Sequence, residues 1–206
     1  MACHFSCYGT GLSNRPQALP QGAMLIVNDR TPVYGHDPEL IAEQLLEILS
    51  QNTLSGVLLD FQRTDPQQQV IAQKIVQSLP CPVGVTAPYA KELACPVFLP
   101  LPPLYSPVEE ALSQWEGREI WIDAALDAAR ITVTGDGTEY SQIPFSPSTD
   151  PLFSQEELHC SYTTRVTDKN ATFTLYRDRG ALFSLLEHLQ SFGVSRAVGL
   201  YQELGN

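Results

Sequence analysis

The chain has 206 residues, 43% of them apolar, and carries 12 basic against 23 acidic side chains for a net charge of −11. That length supports one sizeable core and falls short of the roughly 250 residues of a standard eight-stranded α/β barrel. The acidic balance argues against a nucleic-acid or anionic-membrane partner, because both need a basic footprint.

Residues 3–8 read as a short strand, and residues 9–22, rich in Gly, Pro, Ser and Asn, as a loop. Cys3, His4 and Cys7 do not read as a metal site. In a strand the two cysteines share a face about 13 Å apart while His4 turns the other way. Met24-Leu25-Ile26-Val27 is a continuous apolar run, as expected of a parallel strand covered on both faces, and it ends in Asn28, Asp29 and Arg30. Asp37-Pro38 supplies an N-cap and a first-turn proline. The helix that follows places Ile41, Leu45, Ile48 and Leu49 on one face and stops near Asn52.

The next strand, Gly56 to Gln62, is the most informative stretch. Strand alternation puts Val57, Leu59 and Phe61 on one face and Leu58, Asp60 and Gln62 on the other. An aspartate within a strand is costly to bury, so the second face is expected to look into a barrel mouth or cleft.

Asp65-Pro66 opens a second helix with Ile71, Ala72, Ile75, Val76 and Leu79 as its apolar face, closed by Pro80 and Pro82. Val83–Thr86 and Val97–Leu99 read as strands joined by a turn through Tyr89 and Leu93. Residues 100–107 form a stiff proline-rich connection. Ser106-Pro107-Val108-Glu109 has the pattern of a capping box. Val108, Ala111, Leu112 and Trp115 then make a helical stripe, with Trp115 as core. Ile120–Asp123 is another strand. Alternation over residues 130–143 about Gly135-Asp136-Gly137 predicts a hairpin, an excursion from the main fold. Residues 144–151 are loop, and Ser154 to Glu157 read as one helical turn. Cys160–Val166 and Ala171–Tyr176 are strand candidates. Asp178 opens the last helix, with Leu182, Leu185, Leu186 and Leu189 inward and Gly193 at C′. Ala197–Tyr201 is the final buried strand.

Counting Thr172–Tyr176 among them, these segments supply eight candidate parallel strands, several separated by helices. The predicted fold class is α/β: a compact, irregular (β/α)8 TIM-type barrel spanning 1–206 as a single domain, with an abbreviated front half and a β-hairpin excursion. An open doubly wound sheet is the alternative. No Gly-x-Gly-x-x-Gly, Gly-x-Ser-x-Gly or P-loop pattern occurs, so no cofactor is expected. No metal site is expected either, and His36, His159 and His188 read as surface or loop histidines. Met1 to Phe5 lacks the features of a signal peptide, and the five cysteines are odd in number and irregular in spacing, which predicts free thiols and a cytoplasmic location. The sequence carries no signal for oligomeric state.

The Ser55–Arg63 stretch resembles the fourth-strand signature of family 18 glycoside hydrolases, the chitinase-like enzymes, D-G-x-D-x-D-x-E. On that pattern Ser55 replaces the first Asp, Gly56 matches the Gly, Leu58 replaces the second Asp, Asp60 matches the third, and Gln62 stands at the catalytic Glu. A second anchor is Ala171 to Gly205, which is similar to the family's closing strand–helix–strand segment, with Tyr201 near the position of a sugar-flooring Trp and Leu204-Gly205 after it. In the family the Glu protonates the leaving oxygen and the substrate's acetamido group is the nucleophile. An amide has no comparable proton to give. The resemblance therefore implies a degenerate member in which the fold persists and the reaction is lost.

In barrels of this type function sits at the C-terminal strand ends. The candidate ligand-binding residues are Asn28, Arg30, Asp60, Gln62, Thr86, Tyr89, Asp123, Tyr176, Tyr201 and Glu203. No catalytic residue is assigned beyond the degenerate pair Asp60 and Gln62. Three readings stay open: a non-hydrolysing barrel that binds a saccharide or another small polar ligand, an active glycosidase with its acid relocated to Asp123 or Glu203, and a purely structural or protein-interaction domain.

Overall fold

The structure is a computed structural model that describes residues 2–6, 21–29, 37–150 and 152–200, with the backbone alone at 2–6 and at 200. Its elements are β1 (Ala2–Ser6), β2 (Met24–Asn28), α1 (Pro38–Gln51), β3 (Gly56–Asp60), α2 (Pro66–Ser78), β4 (Val83–Thr86), α3 (Ala87–Ala90), β5 (Val97–Leu99), α4 (Val108–Ser113), β6 (Ile120–Asp123), β7 (Asp127–Thr134), β8 (Gly137–Ile143), β9 (Phe153–Gln155), β10 (Cys160–Val166), β11 (Asn170–Arg177), α5 (Arg179–Leu189) and β12 (Val194–Leu200). They fall into two compact units, one built on Ala2–Pro100, Gly117–Asp123 and Ser195–Asn206, the other on Leu101–Glu116 and Ala124–Val194.

The first unit holds a seven-stranded sheet in the order β1-β12-β6-β5-β4-β3-β2. The pairings β1–β12, β2–β3, β3–β4, β4–β5 and β5–β6 are parallel. The edge strands β1 and β2 approach within 8 Å between Cα atoms, so the sheet curls strongly. Its inner face is a cluster of Met24, Leu58, Trp121 and Val198, with Ile26 and Phe98 packed against it. This fixes the register of β3 as the sequence predicts. Leu58, and with it Asp60, faces inward, while Phe61 faces outward and meets the Tyr89 ring edge-on at 5.9 Å. Gly84 lets Trp121 fill the interior, and Gly56 admits the backbone of the neighbouring strand. A Cβ on Gly84 would lie 2.3 Å from the indole, and one on Gly56 would lie 2.8 Å from the Pro82 carbonyl.

Helices begin where the capping residues stand. Asp37 accepts from the Glu39 N–H at 3.0 Å and Asp65 from the Gln68 N–H at 3.0 Å, each with proline in the first turn. The buried faces are Ile41, Ala42, Leu45 and Ile48 in α1 and Gln68, Ile71, Ala72 and Ile75 in α2. Residues 87–90, expected as a turn, form the short helix α3.

The second unit is a five-stranded sheet in the order β8-β7-β11-β10-β9, antiparallel at every pairing. Here the sequence expectation is corrected. Thr172–Tyr176, counted as a barrel strand, lies in β11 between the antiparallel strands β7 and β10, so the parallel sheet has seven strands among the described residues. The expected hairpin exists as β7–β8 but belongs to this larger sheet. The predicted helical turn at 154–157 is instead the end of β9 and a turn. The core of the unit is Leu104, Ala129, Cys160 and Leu175, flanked by Tyr105, Ile131, Leu158, Tyr162 and Phe173. Asp178 caps α5 through the Ala181 N–H at 2.9 Å. Gly193 follows a 3-10 turn with φ 85°, the left-handed conformation expected at C′. The capping box at α4 does not form, because Pro107 occupies the N-cap position and no side chain caps the helix.

Candidate functional site

The inner face of the parallel sheet ends in polar residues at its C-terminal edge. Residues two apart share a face, so the inward Met24, Leu58, Gly84 and Trp121 carry Asn28, Asp60, Thr86 and Asp123 inward with them. Asn28 and Asp60 are direct register partners on neighbouring strands. Asn28 is 8% exposed and Asp60 and Asp123 are half-buried, whereas Gln62 lies in solvent just past the strand.

The decisive contact is between Asp60 and Gln62. The Gln62 Nε2 donates to Asp60 Oδ1 at 2.7 Å. The Gln62 carboxamide thus gives a hydrogen bond to the neighbouring carboxylate. An amide N–H can hold a carboxylate in place, but it has no acidic proton to deliver to a leaving alkoxide.

The loop carrying Gln62 is held by a residue that the sequence reading left out of the site. Asp29 is only 4% exposed, and its Oδ2 accepts from the backbone N–H of Gln62 at 2.9 Å and of Arg63 at 2.7 Å. Its position directly after β2, next to the inward Asn28, was the available signal. Thr86 adds a second brace, its hydroxyl donating to the Phe61 carbonyl at 2.7 Å.

The other candidates divide by location. Tyr89 is 1% exposed, its hydroxyl donates to the Arg63 carbonyl, and burial together with the Asp29 charge pushes its phenol well above the ordinary range. It is therefore core beneath the β3–α2 loop and presents no surface to a ligand. Tyr176 belongs to β11 of the antiparallel unit, where it lines an open pocket with Arg130, Ser146 and Thr174. Arg30, Tyr201 and Glu203 lie outside the described residues, as do Cys7, His36 and the side chains of Cys3 and His4. The described cysteines, Cys81, Cys95 and Cys160, are free thiols. Burial raises all three, and carries Cys160 to about 11.

The antiparallel unit holds a further group of chemistry-bearing residues. Glu109, His159 and His188 present ligand-type atoms within 4.8 Å of one another. The sequence alone reads both histidines as surface or loop residues. Seventy-nine positions separate Glu109 from His188, and no local pattern announces that they pair.

Neither a family model nor a curated protein matches the sequence. Solved structures do match the fold. The spore cortex-lytic enzyme SleL of Bacillus cereus superposes over 86% of this chain with a TM-score of 0.55 at 10% identity. SleL of Bacillus megaterium QM B1551 does so over 86% with 0.51 at 9% identity. The Bacillus subtilis protein ydhD, assigned as a sporulation-specific glycosylase, matches over 85% with 0.53 at 10% identity. The chain shares their fold. It spans 55% of the length of each SleL chain and 78% of ydhD. Among the described residues no helix is long and apolar enough to cross a membrane.

Proposed function

We propose that this chain is a non-hydrolysing, chitinase-like domain that binds a saccharide through the C-terminal edge of its parallel sheet. The observation that carries the reading is the Asp60–Gln62 hydrogen bond of 2.7 Å. It supports a site in which the proton donor of the fold's glycosidases is replaced by an amide that fixes the adjacent carboxylate. Asn28, Asp60, Gln62 and Asp123 offer the mixed donors and acceptors that hydroxyl-rich ligands require. Arg30, Tyr201 and Glu203 are proposed to complete the rim, with Tyr201 as the stacking platform. The similarity in fold to spore cortex-lytic enzymes and to a sporulation-specific glycosylase supports the ligand class, and the substitutions at Ser55, Leu58 and Gln62 support loss of turnover.

The test is an assay of wild type and Gln62→Glu on fluorogenic N-acetylglucosamine oligomers from acidic to neutral pH, with binding of the same oligomers measured by calorimetry. No turnover in either protein, with binding weakened at least tenfold by Tyr201→Ala or Asp60→Ala, is the expected result. General acid catalysis is typically worth roughly 10²–10⁴-fold, and Gln62→Glu restores only one of the replaced acids. Wild-type turnover abolished by Asp123→Asn or Glu203→Gln overturns the reading in favour of a relocated acid. Absence of both turnover and binding favours a structural or interaction domain.

A further inference from the structure

We propose that Glu109, His159 and His188 form a site for a divalent transition-metal ion of the zinc class, with solvent completing the coordination. The residues come from three separate segments of the antiparallel unit. Glu109 is in the first turn of α4, His188 in the last turn of α5, and His159 ends the turn that leads into β10. His188 Nε2 lies 2.8 Å from Glu109 Oε1. A hydrogen-bonded pair of this kind is common on protein surfaces and by itself needs no ion.

The third residue makes the difference. His159 is the one non-glycine among the described residues with positive φ, at 45°. Histidine tolerates this region better than most residues, yet such a backbone still costs energy and is held only where its surroundings enforce it. The consequence of the turn is an imidazole lying 4.7 Å from that of His188, with Glu109 in reach of both. Two ligand atoms on a tetrahedral zinc ion sit ~3.4 Å apart, given metal–ligand distances of ~2.1 Å. The present spread of at most 4.8 Å therefore needs closure of at most about 1.4 Å, while the 2.8 Å Glu109–His188 pair opens by about 0.6 Å. Glu109 and His188 side chains are each 38% exposed, so rotamer adjustment is open to them.

The protonation states suit metal binding. Burial, followed by the neighbouring His188, holds His159 below its usual range, and a neutral imidazole is the ligating form. Glu109 is held low by a backbone hydrogen bond and by His188, so it supplies a negative charge. Arg177 acts on His159 as a nearby positive charge and so lowers the expected affinity for a dication. Two imidazoles and one carboxylate match the donor set of zinc, cobalt or nickel better than that of calcium or magnesium. His159 also lines an open pocket of about 490 Å³ with Ser154, Glu156 and Ser184, which gives the ion a solvent path and leaves room for a water ligand.

The experiment uses the full chain stripped by a chelator and titrated with zinc chloride and cobalt chloride. The expected result is binding at one ion per chain, a rise in melting temperature of several degrees at a hundredfold excess over Kd, and cobalt d–d absorption without a thiolate charge-transfer band. Affinity falls at least tenfold in His188→Ala, in His159→Ala and in Glu109→Gln. The last variant is isosteric and keeps a hydrogen-bonding partner for His188, so it decides the matter even where an alanine variant fails to fold. The proposal is overturned by three outcomes: no ion bound, affinity unchanged in Glu109→Gln and the histidine variants, or binding abolished by alkylating the cysteines.

Discussion

The parallel and antiparallel units solve burial in opposite ways. In the parallel sheet both faces of each central strand are covered, so β3 reads Gly56-Val57-Leu58-Leu59 with every residue buried. In the antiparallel sheet β7 is buried only at Ala128 and Ala129, and all of β8 is exposed or nearly so. The first pattern writes itself into the sequence as continuous apolar runs, and the second as polar, threonine-rich alternation. The first unit should therefore be intolerant of added volume, and the second tolerant over much of its surface. The protein carries an internal reporter for each, since its two tryptophans, Trp121 and Trp115, fall in different units.

The largest effect is expected from Gly84→Val. Its Cβ alone would lie 2.3 Å from the fully buried Trp121 ring, which cannot withdraw. A cost above about 3 kcal/mol is predicted, at the upper end for overpacking, read by Trp121 fluorescence in a Trp115→Phe background during urea unfolding. Amide exchange in β7–β11 should change less, because Gly84 and Trp121 both lie in the parallel unit. Equal loss in both units would show that they do not differ as described.

Asp29→Ala should cost about 2 kcal/mol, because two backbone N–H groups lose a charged acceptor. The site of the damage is specific: amide exchange of Gln62 and Arg63 should rise well before that of the strands. Uniform exchange would mean that Asp29 is not what holds the loop.

The antiparallel unit offers a change of opposite sign. Arg177 is fully buried, and its Nε, Nη1 and Nη2 have no hydrogen-bond partner among the described residues. Burial opposes its charge, with Asp127 only partly compensating. Replacing an imperfectly satisfied buried ion by an apolar side chain of similar length is often stabilising, so Arg177→Met should raise stability by about 1–2 kcal/mol. A loss of that size would indicate a partner that the burial argument has missed. The smallest effect is expected from Glu139→Ala on the exposed β8, within about 0.5 kcal/mol by thermal unfolding.

These contrasts explain what was legible in the residues. The strand–helix–strand runs and the aspartate caps of α1, α2 and α5 are local patterns and could be read directly. So could the inward placement of Asp60, since alternation is a property of one strand. The assignment of β11 was not legible, because the sheet a strand joins depends on distant partners. Asn170–Arg177 aligns with Asp127–Thr134 on one side and with Ser161–Val166 on the other. Tyr89 looked like a rim residue because it follows a strand end, whereas the turn folds into α3 and buries the ring against Phe61. The trio of Glu109, His159 and His188 depends entirely on tertiary approach.

The order of strands in the parallel sheet also has a consequence for synthesis. β1 is hydrogen-bonded to β12, with Ala2 opposite Arg196 and Ser6 opposite Leu200. β1 therefore waits for β12 before its backbone groups find their place in the sheet. During translation β2 to β6 can pair in sequence as they emerge, and the whole β7–β11 sheet can form before β12 exists. Completion of the parallel sheet is thus gated by residues 194–200, and a ribosome stalled before them would hold a nascent chain with β1 unmatched.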